Sequence, residues 1–176
     1  KILQKRGKFM QEAVPSGEGA MLAVLGMASK ELDKILETNN KKYECFIAND
    51  NSNLQVVVSG LKKDINLLSD DLNNKKIKNL KLNVSAPFHC KYMKTASEKM
   101  TSYINDLKMN KLEKPIISNV TANETSSSSE IKSLLISQIE KKVRWLESVE
   151  YMINNGVKNF VEIGPGKVLS GLIKRI

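Results

Sequence analysis

Apolar residues alternate between strand-like runs and helical spacing along the first half of the chain. Four apolar runs have the length of buried strands, and helical spacing of apolar residues separates them in two places. The predicted strands are residues 19–27, 43–48, 54–59 and 77–84, and the predicted helices are residues 29–38 and 60–72. This βαββαβ order predicts two right-handed crossover helices packed on one face of a four-stranded antiparallel sheet.

The remaining residues predict an α/β layer with too few strands. A predicted helix at residues 2–14 ends at Pro15, and the second half of the chain alternates helices with strands. The elements predicted there are helices at residues 92–108, 130–139, 145–155 and 167–175 and strands at residues 116–120 and 157–163. Because two strands cannot complete such a layer, we expect further strands from outside this chain, which begins at Lys1 without an initiating Met.

The chain is basic, with a formal net charge of +9 and a pI of about 9.5. Much of the excess comes from lysine pairs scattered along the sequence, and only 5% of residues are aromatic, which leaves few platforms for base stacking. We therefore expect a solvated lysine surface that attracts acidic partners, such as phosphorylated cofactors or an acidic carrier protein. No nucleic-acid partner is expected.

Apolar stretches and cysteines restrict where the protein works. The longest apolar stretches, residues 21–27 and 54–58, are far shorter than the ~20 residues of a membrane span, so no membrane partner is expected. Cys45 and Cys90 form neither a close pair nor a metal-type spacing. The sequence therefore predicts a protein of the reducing cytoplasm, without a disulfide framework or a metal site.

One histidine and one arginine are the candidates for chemistry. His89 follows a predicted strand and precedes a predicted helix, where α/β proteins place functional loops, although a lone histidine is also compatible with packing. As a base it needs a nucleophile, yet no Gly-x-Ser-x-Gly elbow occurs, and Ser16 and Ser170 fit structural roles better. Arg6 presents paired donors that match a carboxylate, but by pattern alone it is one basic residue among 28.

Several segments together resemble consecutive signatures of the malonyl-CoA:acyl-carrier-protein transacylases. Their order and spacing both fit that family, and the resemblance covers essentially the whole chain. The matching segments are RGKFMQEAVP (residues 6–15), GAM (19–21), VSAPFHC (84–90), PIISNV (115–120), VRW (143–145) and EIGPGKVL (162–169).

The resemblance implies a fold. The fold is a partial α/β-hydrolase-like core, formed by residues 1–15 and 85–176, with a ferredoxin-like subdomain inserted at residues 16–84. The βαββαβ pattern leads to the same subdomain independently. In the family the nucleophilic serine and the segment that helps to form the oxyanion hole precede the arginine. Both then fall outside this chain, and we expect the chain to be inactive by itself.

The resemblance also implies ping-pong transfer of a malonyl group from CoA to the phosphopantetheine thiol of acyl carrier protein in fatty-acid synthesis. His89 would act on the absent serine as base and then as acid, and the main-chain carbonyl of Gln138 would orient its ring. Arg6 would hold the malonyl carboxylate across a cleft from His89, and would exclude uncharged acyl groups because an unpaired buried guanidinium is costly. Malonyl-CoA enters as a substrate, and no permanently bound cofactor is implied.

Four more residues match the family near the expected cleft. Phe88 precedes His89 as in the malonyl-selective form of the motif, where a bulky ring crowds a branched methylmalonyl group. Asn49, Asn51 and Gln55 match a cleft-lining Asn-x-Asn-x-Pro-x-Gln pattern, but Asn53 stands in place of the proline. Turn asparagines at a hairpin explain these positions as well as ligand contact does.

Two alternatives stay open at this point. One is the acyltransferase of a polyketide pathway, which the lack of long flanking domain sequence disfavours. The other is a non-catalytic carrier-protein binding module, in which the charge and the small subdomain matter while His89 is vestigial. Formation of a malonyl adduct, once a serine-containing segment is supplied, separates the transferase from the binding module.

Overall fold

The computed structural model describes residues 1–176 as seven α-helices, one short 3-10 helix and six strands. The helices are α1 (Ile2–Gln11), α2 (Ser29–Thr38), α3 (Lys62–Asn74), α4 (Lys94–Asn105), α5 (Ser128–Ser137), α6 (Trp145–Asn154) and α7 (Val168–Ile173), and the 3-10 helix is Lys91–Met93. The strands are β1 (Gly19–Leu25), β2 (Cys45–Ser52), β3 (Gln55–Leu61), β4 (Asn79–Lys81), β5 (Ile116–Ile117) and β6 (Glu124–Thr125). None of these helices has the combination of length and apolar character that crossing a membrane requires.

Strands β1 to β4 form one antiparallel sheet in the spatial order β2-β3-β1-β4. The central pair is β1 with β3, which runs from the partners Gly19 and Leu61 to the partners Leu25 and Gln55. The predicted βαββαβ element order is confirmed, since α2 lies between β1 and β2 and α3 lies between β3 and β4. We call β1 to β4 with α2 and α3 the sheet unit.

The sheet unit has its own hydrophobic core on the helix-covered face. Alternation along β1 directs Leu22 and Val24 into this core, while helical spacing directs Leu68 and Leu72 of α3 onto them. Twelve buried residues form the cluster: Leu22, Val24, Leu32, Leu36, Tyr43, Cys45, Ile47, Val56, Val58, Ile65, Leu68 and Leu72. The helices predicted at residues 29–38 and 60–72 are therefore confirmed, and their apolar side chains pack into this core.

Residues 1–15 and 85–176, which we call the helical region, pack around a second and smaller core. Helices α1 and α5 both contact α4, and seven buried residues lie among them: Met10, Ala86, Met93, Ala96, Met100, Ile104 and Ile139. Only one sheet occurs here, the two-stranded antiparallel pair β5 with β6. The predicted strand at residues 116–120 is thus reduced to two residues, and its partner β6 was not predicted.

The two parts meet along the open face and the edge of the larger sheet. Phe88 packs against the buried residues of the open face and also against the core of the helical region. At the edge, the Asp50 amide donates to the Val143 carbonyl at 2.9 Å, and the Val143 amide donates to the Ala48 carbonyl at 2.8 Å. These two hydrogen bonds fix β2 against the segment that follows α5.

Two further sequence predictions are wrong. No strand forms at residues 157–163, where Val161 and Ile163 are 81% and 94% exposed, because no neighbouring strand is there to receive its backbone hydrogen bonds. Residues 49–53, which the sequence leaves between the strands predicted at 43–48 and 54–59, are mostly strand, since β2 continues through Ser52 with register irregularities that absorb the extra residues. The predicted strand at residues 77–84 shortens to β4.

Candidate functional site

The candidate site is built on the C-terminal end of helix α5. Gln138 caps this helix, so its main-chain carbonyl lies among the last carbonyls, which have no partner inside the helix. His89 Nδ1 lies 2.9 Å from this oxygen. Because a carbonyl oxygen can only accept, Nδ1 must carry the proton, and Nε2 is then the unprotonated nitrogen of the neutral ring.

The loop that holds His89 adopts a constrained backbone. His89 has φ +60°, a left-handed conformation that is uncommon for residues other than glycine, and it sits in a turn where the Phe88 amide donates to the Ala86 carbonyl at 3.1 Å. The Cys90 thiol donates to the Pro87 carbonyl at 3.1 Å, so this buried cysteine packs the turn. Such backbone conformations cluster at functional sites.

A glycine in β1 allows the histidine loop to approach the sheet. A Cβ placed on Gly19 would lie 2.2 Å from Pro87 Cδ and 2.8 Å from Ala86 Cα, far inside van der Waals contact. A glycine within a strand often marks such a close backbone approach. Gly19 therefore sets how close residues 86–87, and with them His89, lie to the sheet unit.

Arg6 reaches the same glutamine from helix α1. Its Nη2 donates to Gln138 Oε1 at 2.7 Å, across 132 residues of sequence. None of the six ion pairs in the structure involves Arg6, so this half-buried guanidinium has no carboxylate partner. Gln138 therefore receives His89 on its main chain and Arg6 on its side chain.

The electrostatics of the site favour a neutral imidazole. Burial lowers the pKa of His89 below its ordinary value, the hydrogen bond to the Gln138 carbonyl opposes this shift, and the charge of Arg6 adds to it. Burial also lowers the pKa of Arg6, yet a guanidinium stays protonated at neutral pH. The site thus holds a neutral base and a fixed positive charge.

The expected shared cleft between Arg6 and His89 is not found among the main cavities. Arg6 and Gln138 line a largely apolar cavity of about 490 Å³ together with Leu134 and Leu135. His89 lines a different cleft of about 550 Å³, beside Cys90 and the lysines that follow Gln138. The two side chains thus line different cavities, and their link is Gln138 at the end of α5, which is hydrogen-bonded to both.

None of the other four predicted site residues is hydrogen-bonded to Arg6, His89 or Gln138. Asn49 and Asn51 lie on β2 and are half-buried, and neither side chain makes a hydrogen bond within the chain. Gln55, at the start of β3, accepts a hydrogen bond from Arg175 at 3.1 Å. Phe88 is half-buried and packs between the two parts of the molecule.

Two contributions to the site escaped prediction from the sequence. The side chain of Gln138 contacts Arg6, whereas only its main chain had been considered. The sequence did indicate that Gly19 is unusual, since a glycine begins a predicted strand of small and apolar residues. Nothing in the sequence pattern indicated that Pro87 would be its neighbour. No local sequence pattern indicates either contact, because each joins residues that are far apart in the sequence.

The serines noted in the sequence do not pair with His89. Ser170 Oγ donates to Glu162 Oε2 at 2.6 Å, at the start of α7. The one hydrogen bond of His89 in the structure is the contact with Gln138. No group of three or more His, Cys, Asp or Glu side chains is arranged to hold a metal ion.

Comparisons with known sequences match almost the whole chain to acyl transferases. A sequence model of the family described as "Acyl transferase domain" matches residues 1–175. The malonyl CoA-acyl carrier protein transacylase of Bacillus subtilis (strain 168) is 42% identical over an alignment of 179 positions, which covers 99% of this chain and 56% of that protein. The same-named protein of Staphylococcus aureus (strain MRSA252) is 42% identical over 182 residues, with 100% and 58% coverage. The chain thus spans little more than half the length of these relatives.

Solved structures agree with the sequence relatives. The malonyl CoA-acyl carrier protein transacylase of Clostridium perfringens superimposes with a TM-score of 0.94 at 40% identity, over 99% of this chain and 55% of that one. A malonyl-transacylase in complex with its type II PKS acyl-carrier protein gives a TM-score of 0.93 at 35% identity, over 99% and 57%. The α/β arrangement of this chain is therefore the one found in those proteins.

Proposed function

The chain belongs to the acyl transferase domain family, and on that premise we propose that it is the histidine- and arginine-bearing part of a malonyl transferase. The proposed reaction moves a malonyl group from CoA to the phosphopantetheine thiol of an acyl carrier protein in fatty-acid synthesis. The observation that carries this proposal is the 2.9 Å contact between His89 Nδ1 and the Gln138 carbonyl. It fixes the ring and leaves Nε2 available as a base.

The proposed architecture divides the chain into two domains. Residues 16–84 form a ferredoxin-like subdomain, and residues 1–15 and 85–176 are parts of an α/β-hydrolase-like core. The strand order β2-β3-β1-β4 and the separate twelve-residue cluster support the first assignment. The second assignment rests on the family, and Arg6, His89 and Gln138 all lie in this part of the chain.

The first half of the proposed mechanism acylates a serine. The proposal assigns that serine to a segment outside residues 1–176, and it is supported by the absence of a hydrogen bond between His89 and any serine of this chain. His89 Nε2 accepts the serine proton while the serine oxygen attacks the thioester carbonyl of malonyl-CoA. The carbon–sulfur bond then breaks, the imidazolium returns the proton to the CoA thiolate, and a malonyl ester of serine remains.

The second half of the proposed mechanism runs in the opposite direction with a different thiol. His89 Nε2 takes the proton of the carrier protein's phosphopantetheine thiol, and the thiolate attacks the serine ester. The carbon–oxygen bond to serine breaks, and the imidazolium returns the proton to the serine oxygen. The Gln138 carbonyl keeps Nδ1–H oriented through both halves, so one imidazole serves both thiols. This chemistry needs no permanently bound cofactor.

Arg6 is proposed to bind the far end of the acyl group. Its guanidinium is half-buried, has no carboxylate partner within the chain and lines a cavity of about 490 Å³. A charge in that setting favours a carboxylate through charge-assisted hydrogen bonds. Malonyl-CoA is therefore the proposed substrate, in preference to an acyl-CoA without a second carboxyl group.

Four other residues are proposed to shape the space around the acyl group. Phe88 would limit branching next to the thioester, and its position directly before His89 supports that role. Asn49, Asn51 and Gln55 would line the approach to the site from β2 and β3. The free side-chain amides of the two asparagines support contact with a ligand.

The proposed partner is an acidic acyl carrier protein in the cytoplasm. The net charge of +9 suits a partner rich in Asp and Glu. We favour fatty-acid synthesis because the chain is similar in sequence to malonyl CoA-acyl carrier protein transacylases. A polyketide pathway is the alternative, since one solved relative is in complex with a type II PKS acyl-carrier protein. Transfer rates measured with carrier proteins of the two pathways decide between them.

The test of the proposed function is acyl transfer by a polypeptide that contains residues 1–176 together with the proposed serine-containing segment. Incubation with malonyl-CoA should add one malonyl group to the intact mass, and carrier protein should then remove it. His89→Ala should slow adduct formation by about 10²- to 10⁴-fold, the usual contribution of a general base. Lys94→Ala, an exposed change on α4, is the matched control and should keep the wild-type rate. Failure of the wild-type polypeptide to form the adduct would contradict the proposal.

A further inference from the structure

Gln138 is the one residue that contacts both proposed functional side chains. Its side-chain Oε1 accepts from Arg6 Nη2 at 2.7 Å, and its main-chain oxygen lies 2.9 Å from His89 Nδ1. The main-chain role depends on the carbonyl alone and is insensitive to the side chain. The side-chain contact therefore needs a separate explanation.

The partner of the Arg6 guanidinium is neutral. An amide oxygen satisfies one of its N–H donors but supplies no negative charge, and no Asp or Glu forms an ion pair with Arg6. A carboxylate accepts more strongly from a guanidinium than an amide does, and it can accept two hydrogen bonds in parallel. An incoming carboxylate can therefore replace the amide at Arg6.

We propose that the Gln138 side chain is an acyl-selectivity residue that occupies the carboxylate position at Arg6 until a malonyl carboxylate displaces it. This inference rests on the proposed function. An acyl group without a carboxylate cannot displace the amide, so the amide stays in the space that the acyl group needs. Selection against uncharged acyl groups then comes from this occupancy, rather than from leaving Arg6 without any partner as the sequence suggested.

The backbone of Gln138 is held independently of its side chain. Its amide donates to the Leu134 carbonyl at 2.8 Å, and the following Ile139 is fully buried in the core of the helical region. The side-chain amide can therefore leave Arg6 without moving the carbonyl that receives His89 Nδ1. Uncharged side-chain substitutions at Gln138 should therefore act on substrate binding and leave unchanged the acid limb of the pH–rate profile, which reports the protonation of His89.

Two substitutions at Gln138 separate this role from a structural one. Gln138→Glu keeps the shape but supplies a permanent carboxylate to Arg6, so the KM for malonyl-CoA should rise by about tenfold or more, the ratio between a charge-assisted and a neutral hydrogen bond. Gln138→Met keeps the volume but removes the acceptor, so the KM for malonyl-CoA should fall. The KM for acetyl-CoA should change by less than about threefold in Gln138→Glu, since acetyl has no carboxylate to compete.

The experiment uses the longest polypeptide that contains residues 1–176, with Gln4→Glu as the matched control. Gln4 is exposed on the helix that carries Arg6, so this control makes the same charge change two residues away and should leave both KM values within about twofold. Opposite changes in malonyl-CoA KM for Gln138→Glu and Gln138→Met support the proposal. Equal changes in both variants, or a shifted acid limb in Gln138→Met, overturn it. A wild-type polypeptide that forms no malonyl adduct overturns instead the proposed function.

Discussion

The sheet unit buries its apolar side chains within itself, whereas the helical region exposes many of its own. Fourteen large hydrophobic residues are exposed, and only four of these, Leu54, Leu67, Leu80 and Val84, lie outside the helical region. The sheet unit has a twelve-residue core, against seven residues in the core of the helical region. The contacts of Arg6 and His89 with Gln138 nevertheless all lie in the helical region.

This difference separates the larger apolar core from the candidate site. The sheet unit gains its stability from apolar burial and offers a rigid surface to the histidine loop at Gly19. The helical region places polar groups at the end of a helix and in a loop, which is where functional residues concentrate on a scaffold. Substitutions matched between the two parts can test this division.

The largest expected effect comes from removing buried leucine. Leu68→Ala in the sheet unit should lower the free energy of unfolding by about 2–5 kcal/mol, because Leu68 is fully buried and the change leaves a cavity. Leu135→Ala in α5, where the side chain is 43% exposed, should cost about 1 kcal/mol or less. Urea denaturation followed by circular dichroism measures both. Equal losses would remove the distinction between the two parts.

An intermediate effect is expected where the two parts touch. Gly19→Ala places a Cβ 2.2 Å from Pro87 Cδ, so the histidine loop must shift, at a cost of about 1–3 kcal/mol. Gly7→Ala is the matched control, since a Cβ there meets nothing within 4 Å and alanine favours the helix interior by about 1 kcal/mol. Thermal unfolding measures the two changes, which should have opposite signs. A Gly19→Ala protein as stable as the wild type would contradict the close packing.

The smallest effect is a pH dependence that belongs to the helical region. Burial lowers the pKa of His89 below its ordinary value of about 6.5, so the unfolded chain binds a proton more readily than the folded one. The contribution of His89 to stability is therefore complete above about pH 6.5 and is lost as pH falls through the lowered pKa. The wild type should lose more stability between pH 7.5 and pH 5.5 than His89→Gln does. An equal or greater loss in His89→Gln would show that the pKa is not lowered.

The sequence predicted the sheet unit better than the helical region for a physical reason. Alternating and helical apolar periods arise where one face of an element is buried against the other elements of the same unit, as in β1 and α3. Residues 157–163 have the apolar character of a strand, yet no adjacent strand completes their hydrogen bonds. The local pattern of apolar residues indicates which side chains tend to be buried. It does not indicate whether a neighbouring strand is present to complete the backbone hydrogen bonds.

The candidate site was predicted from the family resemblance, and the residue patterns alone did not identify it. The residues alone offered His89 as a loop histidine and Arg6 as one basic residue among 28. Their meeting at Gln138 joins positions 132 and 49 residues apart, and the helix-capping carbonyl would be offered by any residue type there. No periodicity signals such contacts, which is why the side-chain contact of Gln138 with Arg6 became visible only in the structure.

The most direct test of the account is the protonation of the His89 ring, measured by ¹⁵N NMR of the imidazole at pH 7.5. The Gln138 carbonyl requires a proton on Nδ1, and the lowered pKa requires a neutral ring. The account therefore predicts a protonated Nδ1 and an unprotonated Nε2, the form that can accept a proton from a serine or a thiol. A ring protonated on Nε2, alone or together with Nδ1, would contradict it.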